Sequence, residues 1–554
     1  MTTMHLRHRL TAAAAPWAAL FLLSGCISVE VTAPISATVE GVRAVPVTAV
    51  ERDIDALRAG QAEGGLSAAA ILDQAMGRFE AVDERGPRIN SVLALNPNAE
   101  LEAARLDSAR EAGRALGPLH GVPILIKDNI ETSDQPTTAG SLALIDNRTE
   151  RDAPLVARLR QAGAVIFGKA NLSEWANIRS SHSISGWSAV GGLTRNPYAL
   201  ERTACGSSSG SGAAVAAGIV PVAIGTETDG SITCPAAVNG VVGLKPTVGL
   251  VSRTHIVPIS HSQDTAGPMT RTVRDAAIVL NAIAGSDPAD PATAEADRRR
   301  TDYVAALDPH ALRGARIGVM RFATGYSQGT DAAFEQALAD LRAQGAVLVD
   351  ITEGPDQSIG RDEFQVLLYE LKADLAAYLA ATDPVEVPTR TLADVIAFNA
   401  RTPAELALFD QDIFEAAQAK GPLTDAAYRE ARERSFRLAG PEGIDRMLRD
   451  NDVIALVAPT TGPGWVIDLV NGDNHAGSAS RLAAVSGYPH LTVPMGQVRG
   501  LPVGLSFIGP AWSEARLLAL GYAYEQATHR RRPPQFLPGV AQEPSVEPAL
   551  AGVR

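Results

Sequence analysis

Three cysteines in 554 residues, Cys26, Cys205 and Cys234, are too few for a dense disulfide framework and have no zinc-ligand spacing. There is no long block of Lys and Arg. The formal charge is −13 and the isoelectric point about 5.3, so the phosphate neutralisation behind nucleic-acid binding is missing and that class of partner is excluded. No repeat of solenoid period is present. The apolar run Ala12 to Leu23 is too short to span a bilayer. What remains is globular composition, 46% hydrophobic and 20% charged. Length alone suggests about three domains of ~150 residues. No internal linker divides residues 51–540, which are therefore expected to form one domain.

Residues 1–26 read as an export signal. His5, Arg7, His8 and Arg9 form the basic start, Ala12 to Leu23 the apolar centre, and Leu23-Ser24-Gly25-Cys26 the end. That ending resembles the bacterial lipoprotein box, which predicts lipidation of Cys26 and anchoring in the cell envelope, with a plain signal peptide as the alternative. Ile27, not Asp, follows, so inner-membrane retention is not implied and the outer membrane, periplasmic face, is expected. Residues 27–50, rich in Val, Ala and Pro, read as a tether.

The rest of the chain is organised around Ala204 to Gly249, where two serine-bearing glycine loops flank an apolar small-residue segment and a strand-like run, Val220 to Gly225. Glycine and serine at this density let backbone N–H groups approach a ligand closely. Ordinary surface turns rarely enclose so apolar a segment. Before this stretch, periodicity predicts helices over Ile54 to Glu84, with Ser67 as an N-cap, and over Ala99 to Ala115. Strands are expected at Val122 to Ile126, ending in Lys127, and at Ala164 to Phe167. Further strands are expected at Arg316 to Phe322, Ala346 to Ile351, Val453 to Ala458, Leu491 to Pro494 and Val503 to Ile508, with a last helix over Ser513 to Gln526. Residues 276–450 read as mostly helical. Tyr369, Glu370 and Lys372 there are expected at the surface or core edge. Short apolar strands interleaved with helices predict an α/β fold: a single large domain with a mixed β-sheet covered by helices on both faces.

Two serines compete as nucleophile. Gly206-Ser-Ser208-Ser-Gly210 matches G-x-S-x-G, but that elbow needs a preceding strand, and Arg195 to Cys205 is not one. Its histidine would have to come from His255, His261, His475 or His490, and nothing singles one out. Ser231 fits better: a strand runs into Thr226-Glu-Thr-Asp-Gly230-Ser231, whose glycine turn can aim N–H groups at an oxyanion. With no histidine near in sequence, a lysine acting through a second hydroxyl is a physical alternative as base. Lys127, at the end of a buried strand, is either a snorkelling side chain or a desolvated amine whose lowered pKa suits a base.

GPLHGVPILIKDN (117–129), CGSSSGSGAAVAAG (205–218), GTETDGSI (225–232), GVVGLKPTVGL (240–250) and SQDTAGPM (262–269) together resemble the amidase signature family. So do LLYELKADLAAYL (367–379), LADVIAFN (392–399), LVAPTTG (456–462) and SGYPHLTVPMG (486–496), and the likeness is nearest to its bacterial peptide amidases. It extends over residues 50–535. The resemblance implies a Ser–cis-Ser–Lys triad of Ser231 (nucleophile), Ser207 (bridge) and Lys127 (base). It also implies an oxyanion hole from the N–H groups of Thr228, Asp229, Gly230 and Ser231, with Ser208 holding Lys127. The implied activity is hydrolysis of carboxamides, with C-terminal peptide amides as the expected substrate, and no metal or cofactor. Three residues depart from the family pattern: Cys205 and Asp229 stand where Gly is usual, and Thr233 where Arg is usual. The Asp229 variant matches the peptide amidase branch; Thr233 leaves the usual arginine's role unfilled. Cys205 and Cys234 are expected as two small buried thiols, a disulfide in an oxidising envelope being the alternative.

The alternatives are an aryl-acylamidase or esterase of the same fold, an esterase using Ser208, and an envelope binding protein that kept the fold without the chemistry. A tRNA-dependent amidotransferase subunit shares the family fold, but export would remove its tRNA. The expected organisation is a signal over 1–26, a tether over 27–50, an amidase domain over 51–540 and a tail over 541–554.

Overall fold

The computed structural model describes residues 51–551. The export signal, Cys26 and the 27–50 tether lie outside the described residues. The strands, in chain order, are β1 (Val92–Leu95), β2 (Pro123–Lys127), β3 (Val165–Ala170), β4 (Trp187–Ser188), β5 (Gly192–Leu193), β6 (Val222–Glu227), β7 (Val242–Lys245), β8 (Thr265–Thr270), β9 (Arg316–Met320), β10 (Val347–Ile351), β11 (Ala455–Pro459), β12 (His490–Val498) and β13 (Leu501–Ile508). All but the small β4–β5 hairpin join one sheet in the order β1-β3-β2-β6-β8-β7-β12-β13-β11-β9-β10. The sheet is mixed. β3, β2 and β6 run parallel, as do β11, β9 and β10, while the β6-β8-β7-β12-β13-β11 centre is antiparallel.

The strands expected from apolar runs are present, with ends displaced by at most four residues. Every residue of β2 and β6 is buried, which is why they read as continuous apolar runs rather than alternations. β1, β4, β5, β7 and β8 are additional to the expected set. β7 (VGLK) and β8 (TAGPMT) contain Gly, Pro and Lys, all poor strand formers, and they form because β6 and β12 pair with them on either side. The helical stretch from Ile54 to Glu84 forms separate helices, with Ser67 as the expected N-cap of the second. Ile54–Ala62 ends ahead of Gly64, at φ +77°, and a second helix starts at Ala68, where the Ser67 hydroxyl accepts from the Ala70 N–H at 3.0 Å.

Helices flank the sheet. Ser209–Ala216 packs on β2, β3, β6 and β8, and Glu514–Thr528 on β12 and β13. Between β10 and β11 lies the helical excursion, led by Ile359–Ala380. Its apolar face (Leu367, Leu371, Leu375) joins Trp175, Val257 and Ile259 in a second core. Tyr369 and Glu370 are buried rather than at the surface: Ser260, Ser262 and Tyr428 hydroxyls all donate to the Glu370 carboxylate. Lys372 is partly exposed and donates to the Gln418 and Lys420 carbonyls.

The small-residue helix Ser209–Ala216 is small for a steric reason. A Cβ on Gly210 would lie 2.2 Å from the Ser91 carbonyl oxygen and 2.5 Å from that of Asn171. Backbone oxygens cannot rotate away. Gly210→Ala should gain about 1 kcal/mol of helix propensity but incur overpacking worth about 3 kcal/mol. The net expectation is destabilisation by about 2 kcal/mol, read as a lower urea midpoint; an unchanged or higher midpoint would refute the close approach.

Candidate active site

β2 and β6 are parallel neighbours, with Ile126 opposite Ile224, so Lys127 and Thr226 emerge together at the carboxyl ends of adjacent strands. Open α/β sheets build their sites at this kind of edge. Lys127 is buried. Its Nζ lies 2.7 Å from Ser207 Oγ, 2.8 Å from Thr226 Oγ1 and 3.2 Å from the Thr226 carbonyl oxygen. These contacts are two hydroxyls and a carbonyl. Burial lowers the amine to about 7, against the opposing pull of Asp264 and Glu227.

The Gly206–Ser207 peptide is cis, as the family resemblance implies. The Ser207 carbonyl accepts from the Ser173 N–H at 3.0 Å. The Ser208 N–H donates to the Ser231 carbonyl at 3.1 Å, which brings the two serine loops together. The structure thus gathers Lys127, Ser207, Ser208 and Ser231 from three separated stretches. Ser208 reaches Lys127 through Thr226: its hydroxyl donates to the Thr226 carbonyl (3.1 Å) and accepts from the Thr226 N–H (3.2 Å). With that hydroxyl engaged and the side chain fully buried, the elbow reading of Ser208 loses its exposed nucleophile; Ser231 is 8% exposed. The four candidate histidines bond elsewhere. His255 faces Glu131, His261 pairs with Asp374, His475 contacts Thr461, and His490, pushed down to about 3 by burial, contacts Ser506.

The turn 228–231 is supported from both sides. Gly230 has φ +82°, a conformation suited to glycine. On one side the Glu227 carboxylate accepts from the N–H groups of Ile232 (2.8 Å) and Thr233 (2.9 Å) and from the Thr233 hydroxyl (3.2 Å). Burial raises the Glu227 pKa, and the charge of Lys245, itself lowered to about 8 by burial, opposes that rise. Thr233 therefore serves as a ligand of Glu227, and the facing cation comes from β7. On the other side Gln263 donates to the Thr228 carbonyl (3.3 Å) and to Glu363 (3.1 Å), which Arg481 also contacts (3.0 Å). Burial, with Asp229 close by, holds the Glu363 carboxyl well above the usual range. A cavity of about 350 Å³, lined by Asn129, Thr226, Thr228, Val257, His261 and Asp264, opens beside the turn.

Sequence reasoning passed over Thr226, Asn129, Glu227, Asp264 and Lys245, although each stands inside one of the family-like motifs; only the fold shows which of them point inward. One expectation is corrected. Cys205 and Cys234 are not two thiols but a disulfide, with Cα atoms 6.1 Å apart. The two side chains converge because the loops that carry them already meet at Ser208 and Ser231.

A family profile described as Amidase matches residues 70–518, most of the chain. The chain belongs to the amidase signature family. It is an amidase, a hydrolase of amide bonds. The crystal structure of native peptide amidase from Stenotrophomonas maltophilia is 54% identical, covers 88% of this chain and 99% of that one, and superposes with a TM-score of 0.83. A protein of Arabidopsis thaliana named as an amidase is 39% identical over 475 residues, 83% of this chain and 87% of that protein. A glutamyl-tRNA(Gln) amidotransferase component of Chloroflexus aurantiacus is 37% identical over 507 residues, 87% of this chain and 98% of its own.

The disulfide closes a separation of 29 residues, for which chain entropy predicts about 3–4 kcal/mol of stabilisation. The double variant Cys205→Ala/Cys234→Ala should unfold at lower denaturant concentration by that amount. A reductant should bring the native protein's midpoint toward the variant's. Coincident midpoints for oxidised protein and variant would contradict the bridge.

Proposed function

We propose that this amidase hydrolyses C-terminal peptide amides to the carboxylate and ammonia through an acyl-enzyme on Ser231. Lys127 is the base. The observation that carries this is the buried Lys127 amine, 2.7 Å from Ser207 Oγ and lowered to about 7, in a site whose Ser207 loop is bonded to the Ser231 loop. A base works best with a pKa near the operating pH, and a lysine at its ordinary value would be protonated there.

Neutral Lys127 takes a proton from Ser207, and Ser207 takes one from Ser231 as the Ser231 oxygen bonds the amide carbon. The N–H groups of 228–231 receive the oxyanion. The protons return through Ser207 to the leaving nitrogen, the C–N bond breaks, and ammonia departs. Water, deprotonated along the same path, releases the carboxylate. The peptide amide class is supported by the relative at 54% identity that is named as a peptide amidase. We also infer export and lipid anchoring through Cys26. A disulfide beside the site suits an oxidising compartment, as the signal-like start of the chain requires.

Ammonia release from a C-terminally amidated dipeptide tests the reading. Ser231→Ala and Lys127→Ala should each lose about a thousandfold or more, while Ser208→Ala should keep measurable turnover. Loss confined to Ser208→Ala would move the nucleophile and overturn the reading. Activity requires the neutral amine, so the rate should fall as pH drops through about 7. A rate that stays flat down to pH 5, about two units below that value, would rule out a lysine base.

A further inference from the structure

Asp264, at the entry to β8, makes three contacts that serve different parts of the site. One carboxylate oxygen accepts from the Thr228 hydroxyl at 2.6 Å. The other accepts from the backbone N–H groups of Ile259 (2.8 Å) and Ser260 (2.9 Å). Thr228 begins the turn that ends at Ser231. Asp264 also lines the 350 Å³ cavity whose wall includes Thr226, the residue that grips Lys127. Among the described residues no Lys, Arg or His lies within ion-pair distance of this carboxylate. A carboxylate can accept from all three donors at once, whereas an asparagine turning its carbonyl to Ile259 and Ser260 would present an amide NH2, itself a donor, to the Thr228 hydroxyl. The three donors favour the charged carboxylate and offset part of its desolvation.

We propose that Asp264 is a positioning residue of the amidase site: it anchors the oxyanion turn through Thr228 and supplies a negative charge that the buried Lys127 faces. This rests on the reading of Lys127 as the base.

The electrostatic surroundings are defined. Lys127 is stabilised as the ammonium by Asp264 and, from β6, by Glu227. Glu227 in turn faces Lys245 of β7 and Asp229 of the turn. Around Asp264 stand Asp374 from the helix Ile359–Ala380 and Arg253 from the loop before β8, with His261 at the cavity mouth held by Asp374. Burial raises Asp264 to about 6, and its three donors oppose that rise. The sign follows. An ionised Asp264 favours the charged lysine, so it keeps the amine nearer to neutral pH than burial alone would. Without it the lysine loses its proton at lower pH and becomes a weaker base.

The test is the pH profile of ammonia release from an amidated dipeptide by Asp264→Asn in the full-length enzyme. The acid limb should move to lower pH than in the wild type, and the plateau rate should fall. An unmoved midpoint, or one moved to higher pH, overturns the proposal and leaves the lysine base intact. A wild-type profile with no acid limb near 7 overturns the base reading and this proposal with it. If Asp264→Asn does not fold, Thr228→Val carries the test, because it keeps the charge and removes the link to the turn. It should lower kcat about tenfold with the midpoint unmoved. Full kcat, or a moved midpoint, would count against Asp264 in this role.

Discussion

The burial of Lys127 is the constraint on which the site depends. An ammonium taken out of water, in contact with two hydroxyls and a carbonyl, is disfavoured by about 5 kcal/mol relative to its free form when its pKa drops from 10.5 to about 7. The fold meets that cost with packing. β2 and β6 are buried over their whole length, and the helix Ser209–Ala216 lies directly on them. A sheet exposed on this face would hydrate the amine and restore its ordinary basicity. The chemistry thus begins with a large apolar core and only then with the named side chains.

Around the lysine, the polar groups form a connected set rather than isolated pairs. Thr226 takes Lys127 on its hydroxyl and carbonyl and Ser208 on its backbone. Ser208 passes its N–H to the Ser231 carbonyl, and the Cys205–Cys234 bond ties the same two loops covalently. Glu227 holds the backbone just past Ser231, while Gln263 and Asp264 hold Thr228. A turn gripped from so many sides has little freedom to rearrange as charge develops. Electrostatic stabilisation requires that kind of preorganisation.

Burial raises the pKa of both Glu363 and Asp264, and their neighbours act on them differently. Glu363 is held high by burial and by Asp229 beside it, whereas Asp264 keeps three donors that favour its charged form. The helical excursion contributes Glu363 and Glu370 from buried positions on Ile359–Ala380, so it forms part of the wall of the site.

Much of this was legible in the residues. The α/β class, Ser67 as a cap, the run into Ser231 and the collinear motifs are local facts, carried by apolar periodicity, glycine spacing and capping chemistry. Residue order alone sufficed to join Lys127, Ser207 and Ser231 by resemblance. Tertiary structure decided the rest. β7 and β8 have compositions that argue against strands and are strands because their neighbours pair with them. Glu370 looks like a surface residue on a helix and is buried because the 260–262 loop covers it. Cys205 and Cys234 read as separate thiols in the sequence and are joined because their loops meet. In each case the deciding quantity is contact between stretches far apart in the chain, which local propensity does not encode.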